Sequence, residues 1–268
     1  MQNTDGNPVL VLDSGLGGLS VLRHIQHYAP GAGCVYYGDT AFAPYGSKTT
    51  EEIRNRVLSI SERLVKAYRP RALVWACNTA TSAAIQEVRR EFPDIPVIGT
   101  EPALKPAVEQ MCMQHMKGRI LVMATPVTLR ETKFQNLLRQ YEKTAPIDLL
   151  PAPELVRIIE SCRDIQRRAE EYLLTLKPSL KGGYSLVVLG CTHFPVVKKA
   201  IREVLGRDVR FCDGGDGVAR RLIQLVPDLT REQKQEQIQF LCSSSDPENH
   251  FPEKCRMILE LLAGDKNE

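Results

Sequence analysis

The sequence predicts an α/β protein built from mostly parallel sheets, and three observations lead there. Short apolar runs alternate with amphipathic helical patterns along the whole chain, as layered α/β folds require. The run Leu186 to Pro195, LVVLGCTHFP, has strand character and stops at Gly190, Cys191, Thr192 and His193. Leu73 to Ser82, LVWACNTATS, repeats the arrangement: an apolar run, then Cys77, Asn78 and Thr79, then a helical stripe of Ala84, Ile85, Val88 and Phe92. The cysteines stand 191 − 77 = 114 residues apart, so each half of the chain carries a strand, a cysteine, a polar cap and a helix. In an open α/β sheet ligands sit outside the carboxyl ends of strands, and helix N-termini there offer free N–H groups to anions.

The 268 residues allow one or two domains and a sizeable core. Hydrophobic content of 43 % and charged content of 25 % are those of a soluble globular protein. A net charge of +3, with Lys and Arg interspersed among Asp and Glu, argues against a nucleic-acid or membrane surface as the main business. The N-terminus MQNTDGNPVLVLDSG lacks a basic segment followed by a long apolar core, and no run approaches membrane-spanning length, which predicts a cytoplasmic protein. The eight cysteines (34, 77, 112, 162, 191, 212, 242, 255) contain no Cys-x-x-Cys pair, and free thiols are expected.

In order, Val9 to Leu12 is a strand running into Asp13-Ser14-Gly15-Leu16-Gly17-Gly18, followed by a helix with Leu19, Leu22 and Ile25 inward. The glycine spacing misses G-x-G-x-x-G, so a turn whose N–H groups hold a carboxylate is preferred to a dinucleotide loop; Asp13 is equally readable as a helix N-cap. Cys34 to Tyr37 is a strand, and Gly38 to Gly46 a loop on which Tyr45 is either a ligand contact or a half-buried packing residue. Thr49 and Glu52 form a capping box before a helix with Ile53, Val57, Ile60 and Leu64 inward.

Pro96 to Ile98 is a short strand and Pro102 to Met116 a helix, within which Cys112 and His115 lack the second pair a metal would need, so MCMQHM reads as packing. Arg119 to Ala124 is a strand ending in Thr125-Pro126-Val127-Thr128, an echo of Val9 to Ser14 that supports an internal duplication. Phe134 to Tyr141 (helix), Ile147 to Leu150 (strand), a helix bearing Glu160, and Asp164 to Leu176 (helix) lead to the Cys191 unit. Glu160 by itself reads as a solvated glutamate. Val209 to Cys212 (strand), a helix with Val218, Leu222 and Leu225, the strand Ile238 to Cys242, the polar loop Ser243 to Pro247 and a helix with Cys255, Ile258, Leu259 and Leu262 complete the chain, with fraying from Gly264.

Inverting a stereocentre by proton transfer needs one group to remove a proton from one face and another to deliver one to the opposite face. Two matched thiols meet that need, because a thiol's ordinary pKa of about 8.5 lies close enough to neutrality for one to be thiolate while the other is thiol. Either cysteine alone reads as a buried structural residue; the matched polar caps favour function. His193 is positioned to orient or deprotonate Cys191, or else is a satisfied buried histidine.

Read together, Asp13 to Val21 (DSGLGGLSV), Gly38-Asp39 with Pro44-Tyr45-Gly46, Cys77-Asn78-Thr79-Ala80, Gly190 to Pro195 (GCTHFP) and the closing CSSSDPENHF resemble, in order, the motifs of the glutamate racemases of the aspartate/glutamate racemase superfamily. The resemblance implies two pseudo-symmetric α/β domains with the active site in the interdomain cleft, residues 1–98 plus 208–268 forming one and 99–207 the other. It implies cofactor-independent racemisation of glutamate, supplying D-glutamate for peptidoglycan, with no metal. Cys77 would take the proton from D-glutamate, assisted by Asp13, and Cys191 from L-glutamate, assisted by His193 and Glu160. Substrate contacts would come from Asp13, Ser14, Tyr45, Gly46, Asn78, Thr79, Thr125, Thr192 and His193, with Thr128 beside Thr125. The sequence departs at Phe42, where many members carry arginine. The implied partner is the small-molecule substrate, with no nucleic acid or membrane, and a homodimer is left open. Rival readings are a racemase for aspartate or another amino acid, a dinucleotide-dependent oxidoreductase, and a non-catalytic amino-acid-binding module.

Overall fold

A computed structural model describes residues 7–231, 238–244 and 250–264. The chain divides into two compact units, residues 1–100 with 215–260 and residues 101–214 with 261–268.

The first unit opens with β1 (Val9–Asp13), α1 (Leu19–Tyr28), β2 (Cys34–Gly38), α2 (Thr50–Tyr68), β3 (Ala72–Trp75), α3 (Asn78–Glu91) and β4 (Val97–Gly99). The second holds α4 (Leu104–Met113), β5 (Arg119–Ala124), α5 (Pro126–Arg130), α6 (Thr132–Tyr141), β6 (Ile147–Pro151), α7 (Glu154–Glu160), α8 (Ile165–Leu176), β7 (Tyr184–Leu189), α9 (Lys198–Leu205) and β8 (Arg210–Asp213). The chain then returns through α10 (Gly215–Leu225), β9 (Ile238–Cys242) and α11 (Phe251–Gly264).

The first sheet runs β4-β3-β1-β2-β9 and the second β6-β5-β7-β8, every paired neighbour parallel. Read from its other edge, the second sheet is β8-β7-β5-β6, which is the order 4-3-1-2 of the first four strands repeated by the next four. The internal echo in the sequence is therefore a repeated topology. In both sheets the first and third strands are neighbours, and the crevice at their carboxyl ends is the topological switch point at which open α/β sheets bind ligands.

The central strands are apolar without alternation because helices cover both faces: β1, β2 and β3 are buried along their whole lengths. The Thr49–Glu52 capping box forms, Glu52 N–H donating to Thr49 Oγ1 and Thr49 N–H to Glu52 Oε2, a feature worth about 1 kcal/mol.

Three expectations need correction. The return to the first unit comes after β8, not at 208, because β8 pairs with β7 in the second sheet. Helix α4 stops at Met113 because His115 turns left-handed (φ 49°) and Met116 N–H bonds back to the Met111 carbonyl; Met111 is buried but Cys112 and Met113 are exposed, so only part of MCMQHM packs. Beyond Cys191 the chain forms a 3-10 stretch, Phe194–Val197, before α9. Residues 245–247 of the expected polar loop, and the tail beyond Gly264, lie outside the described residues. Among the described residues no helix is long and apolar enough to cross a membrane.

Candidate active site

In the first unit β1 and β3 lie side by side, with Ala76 N–H donating to the Leu12 carbonyl, so Asp13–Ser14 and Cys77 leave the sheet together. Cys77 is the N-cap residue of α3, and its Sγ lies 3.6 Å from Ser14 Oγ. The N–H groups of the first helical turn have no carbonyl partners within the helix and carry the positive end of its dipole, which favours negative charge beside them.

Asp13 is fully buried, and its Oδ1 accepts from Gly15 N–H at 2.9 Å. It is not the cap of α1; that position is Gly18, where a Cβ would stand 2.7 Å from Asp13 Cβ. The glycine-rich turn thus serves close packing around Asp13, and the Tyr36 hydroxyl fixes it by donating to the Gly15 carbonyl at 2.7 Å.

Tyr45 is buried, and its hydroxyl donates to Asp39 Oδ2 at 2.8 Å. Arg56 grips the same carboxylate with two bonds, Nε to Oδ2 at 2.8 Å and Nη2 to Oδ1 at 2.6 Å. Burial alone would raise Asp39, but hydrogen bonds from Arg56, Ser243 and Tyr45 outweigh it and hold the carboxyl below its ordinary range. Burial and the Asp39 charge push the Tyr45 phenol far up, so the hydroxyl is a committed structural donor. Phe42 packs edge-on to Tyr45, with Lys48 Nζ 4.8 Å and the Arg56 guanidinium 5.6 Å from its ring centre. Asn78 and Thr79 are buried beside Cys77, and Gly46 follows Tyr45 in the 3-10 turn Tyr45–Ser47. Three buried polar atoms with no hydrogen-bond partner, Thr40 Oγ1, Asn78 Oδ1 and Thr100 Oγ1, all follow the carboxyl ends of strands of this sheet.

In the second unit the equivalent neighbours are β5 and β7. Gly190 N–H donates to the Met123 carbonyl at 2.7 Å, and a Cβ on Gly190 would come within 3.0 Å of that oxygen. The backbone is held tightly just before Cys191. Here a set of side chains converges: His193 Nδ1 is 3.7 Å from Cys191 Sγ, and His193 Nε2 is 2.6 Å from Glu160 Oε1. Burial alone would depress the imidazole, but its bonds to Cys191 and Glu160 and their charges prevail, holding His193 well above the usual histidine range. Glu160 ends α7 partly buried against His193, so it is not the solvated glutamate its helix suggested. Thr125 caps α5, its Oγ1 accepting from Thr128 N–H and lying 3.1 Å from Thr128 Oγ1; Thr192 is buried beside Cys191. No cluster of three or more His, Cys, Asp or Glu able to hold a metal occurs among the described residues.

The predicted residues thus form two local sets, Asp13–Ser14–Cys77–Asn78–Thr79 and Cys191–Thr192–His193–Glu160, at the same topological position of two like sheets. The model of the Asp/Glu/Hydantoin racemase family matches residues 9–222, which include both sets. The chain belongs to this racemase family. It is 48 % identical over 217 residues to a glutamate racemase of Clostridium acetobutylicum, covering 81 % of this chain and 82 % of that one. A glutamate racemase of Clostridium kluyveri is 44 % identical over 225 residues, 82 % of this chain and 84 % of that one. Among solved structures, Escherichia coli glutamate racemase in complex with L-glutamate and the activator UDP-MurNAc-ala superposes with a TM-score of 0.80 at 29 % identity, over 96 % of both chains. Glutamate racemase from Francisella tularensis in complex with D-glutamate gives 0.75 at 25 % identity, over 96 % of this chain and 94 % of that one. Membership makes the protein an isomerase.

Sequence reasoning overlooked the residues that hold these sets in place. Arg56 carried one signal, a charge on the inward stripe of α2 between Ile53 and Ile60. Tyr36 and Gln166 carried none, since their partners are main-chain groups of segments distant in sequence.

Proposed function

We propose that this protein interconverts L- and D-glutamate without a cofactor, Cys77 and Cys191 exchanging the α-proton, and so supplies D-glutamate for peptidoglycan synthesis. The observation that carries this reading is the equivalence of the two thiols: each follows the third strand of a sheet with the same strand order, at its switch point, amid its own polar partners.

With L-glutamate bound, the Cys191 sulfur in its thiolate form removes the α-hydrogen, and the Cys77 thiol delivers its proton to the other face of the carbanion. The D-enantiomer runs the same steps with the thiols exchanged. The His193 imidazolium is the counter-charge for the Cys191 sulfur, and Glu160 fixes its orientation. On the other side the α3 N-terminus and Ser14 serve Cys77, and Asp13 fixes the turn that carries Ser14.

A zwitterionic amino acid requires acceptors for its ammonium group and donors for its carboxylates. Asn78 Oδ1, buried without a partner, and Asp13 suit the ammonium. The first-turn N–H groups of Asn78 and Thr79, the main-chain N–H groups of Tyr45 and Gly46, and the hydroxyls of Thr125 and Thr192 suit the carboxylates.

The test is the loss of optical activity with each pure enantiomer of glutamate and of aspartate, without added cofactor, for the wild type and for Cys77→Ser and Cys191→Ser. Glutamate racemised in both directions, and severe impairment in both variants, is expected. Preference for aspartate would overturn the substrate, and activity untouched by either substitution would overturn the two-thiol mechanism.

A further inference from the structure

The segment from Cys191 to Val197 is irregular. Pro195 supplies no N–H, and the 3-10 stretch passes into α9 through Val197 at φ −113°, ψ 22°. In a regular helix Ala200 N–H would donate to the Val196 carbonyl, four residues back. Instead the amide of Gln166, from α8, stands between them: its Nε2 donates to the Val196 carbonyl at 2.7 Å, and its Oε1 accepts from Ala200 N–H at 3.3 Å. One side chain is inserted into the helical ladder and satisfies both groups it separates. The Val196 N–H in turn donates to the His193 carbonyl at 3.0 Å, and Phe194 N–H to the Cys191 carbonyl at 3.0 Å. A continuous set of hydrogen bonds therefore runs from Gln166 to the two residues that matter.

Helix α8 also reaches the other partner of His193. Arg168 Nη1 donates to Ser161 Oγ at 2.7 Å, and Ser161 directly follows Glu160 at the end of α7. The same helix thus ties down both ends of the His193–Glu160 contact. We propose that Gln166 is a positioning residue for the Cys191 side of the reaction, its amide setting the turn that holds His193 between Cys191 and Glu160.

This inference rests on the two-thiol reading for its effect on rate, but the geometry it describes is testable without catalysis. The titratable groups against His193 are Cys191 on its own segment and Glu160 on α7, while α8 presents the neutral Gln166 to that segment. The experiment follows the His193 imidazole by NMR titration in the wild type, in Gln166→Leu, which keeps the bulk and loses both bonds, and in Leu173→Ala, which weakens the buried face of α8 away from the clamp. Racemisation is measured on the same samples.

In Gln166→Leu the His193 pKa should fall toward the ordinary value near 6.5, and kcat/KM should drop about tenfold, the equivalent of about 1.4 kcal/mol. Leu173→Ala should melt earlier with the wild-type titration intact. If Gln166→Leu does not fold, Arg168→Met, which releases Ser161 and leaves the inward face of α8 unchanged, should move the titration in the same direction. An unmoved His193 in the variant that folds, or an equal movement in Leu173→Ala, overturns the proposal. A wild type that does not racemise glutamate would overturn the functional reading, and the titration would still decide the clamp.

Discussion

The two cysteines occupy equivalent places in equivalent topologies, yet they are surrounded by different chemistry. Cys77 caps a 14-residue α-helix directly, with a serine hydroxyl 3.6 Å from its sulfur. Cys191 is followed by a 3-10 stretch instead, and a histidine held by a glutamate stands against its sulfur. In the first unit a helix N-terminus stands beside the sulfur, and in the second an imidazole held well above the usual histidine range. Pro195 has no N–H to donate to the Cys191 carbonyl, and the Gln166 amide stands between Val196 and Ala200, where a helical bond would otherwise form. A duplicated fold sets where a thiol stands, and the local backbone sets what stands beside it.

Replacing either thiol should break both halves equally. Cys77→Ser and Cys191→Ser should each lower racemisation about 10²- to 10⁴-fold, the range of a lost general acid–base group, measured by polarimetry. Because the two enantiomers have equal free energy, kcat/KM must be the same in both directions for any variant. Differences between the thiols are therefore read in kcat and KM separately.

Two variants test the second unit. His193→Asn should cost about 10²-fold in kcat/KM, with kcat for L-glutamate falling more than kcat for D-glutamate; equal changes would mean that His193 does not serve Cys191 in particular. Glu160→Gln removes a charge-assisted bond worth about 1.5–3 kcal/mol, about a 10- to 100-fold effect. Since His193 is raised in the folded state, the stability from its pair is fully present below the unfolded value of about 6.5 and is lost as pH rises through the folded value. Thermal melts of wild type and Glu160→Gln should accordingly differ most below about pH 6.5 and converge as pH rises through the raised folded value of His193.

Asp39→Asn in the first unit tests scaffold more than chemistry. Removing one partner of a buried, doubly bonded ion pair should destabilise by about 2–4 kcal/mol, toward the lower end because Arg56 is partly exposed; urea unfolding measures it. Asp39 is held low, so its contribution in the wild type is present above the unfolded value of about 3.9 and is lost as pH falls through the lower folded value. The smallest effect belongs to Ser14→Ala. The loss of one hydroxyl against Cys77 is worth about 1 kcal/mol, about a fivefold fall in kcat/KM, read from progress curves.

Much of this was legible in the linear chain because it is local. Apolar runs bounded by glycine and proline give the strands, the Thr49–Glu52 box gives the start of α2, and the repeated strand-cysteine pattern gives the two half-sites. Side chains within four residues of a strand end, Asp13, Ser14, Cys77, Asn78, Cys191 and His193, could be named from sequence because the end of a strand fixes where they emerge. What only the tertiary structure decided are pairings across long stretches of chain: Arg56 on Asp39, Tyr36 on the Gly15 carbonyl, and the Gln166 amide in place of a helical bond, while the direct bond of Glu160 to His193 gives geometry to an association the family resemblance had implied. It also decided that β8 belongs to the second sheet and that Tyr45 spends its hydroxyl on Asp39. The physical reason is common to all of them. A pattern of apolar residues records which face of an element is buried, whereas a hydrogen bond depends on which other element arrives there, and the sequence near either partner carries no mark of it.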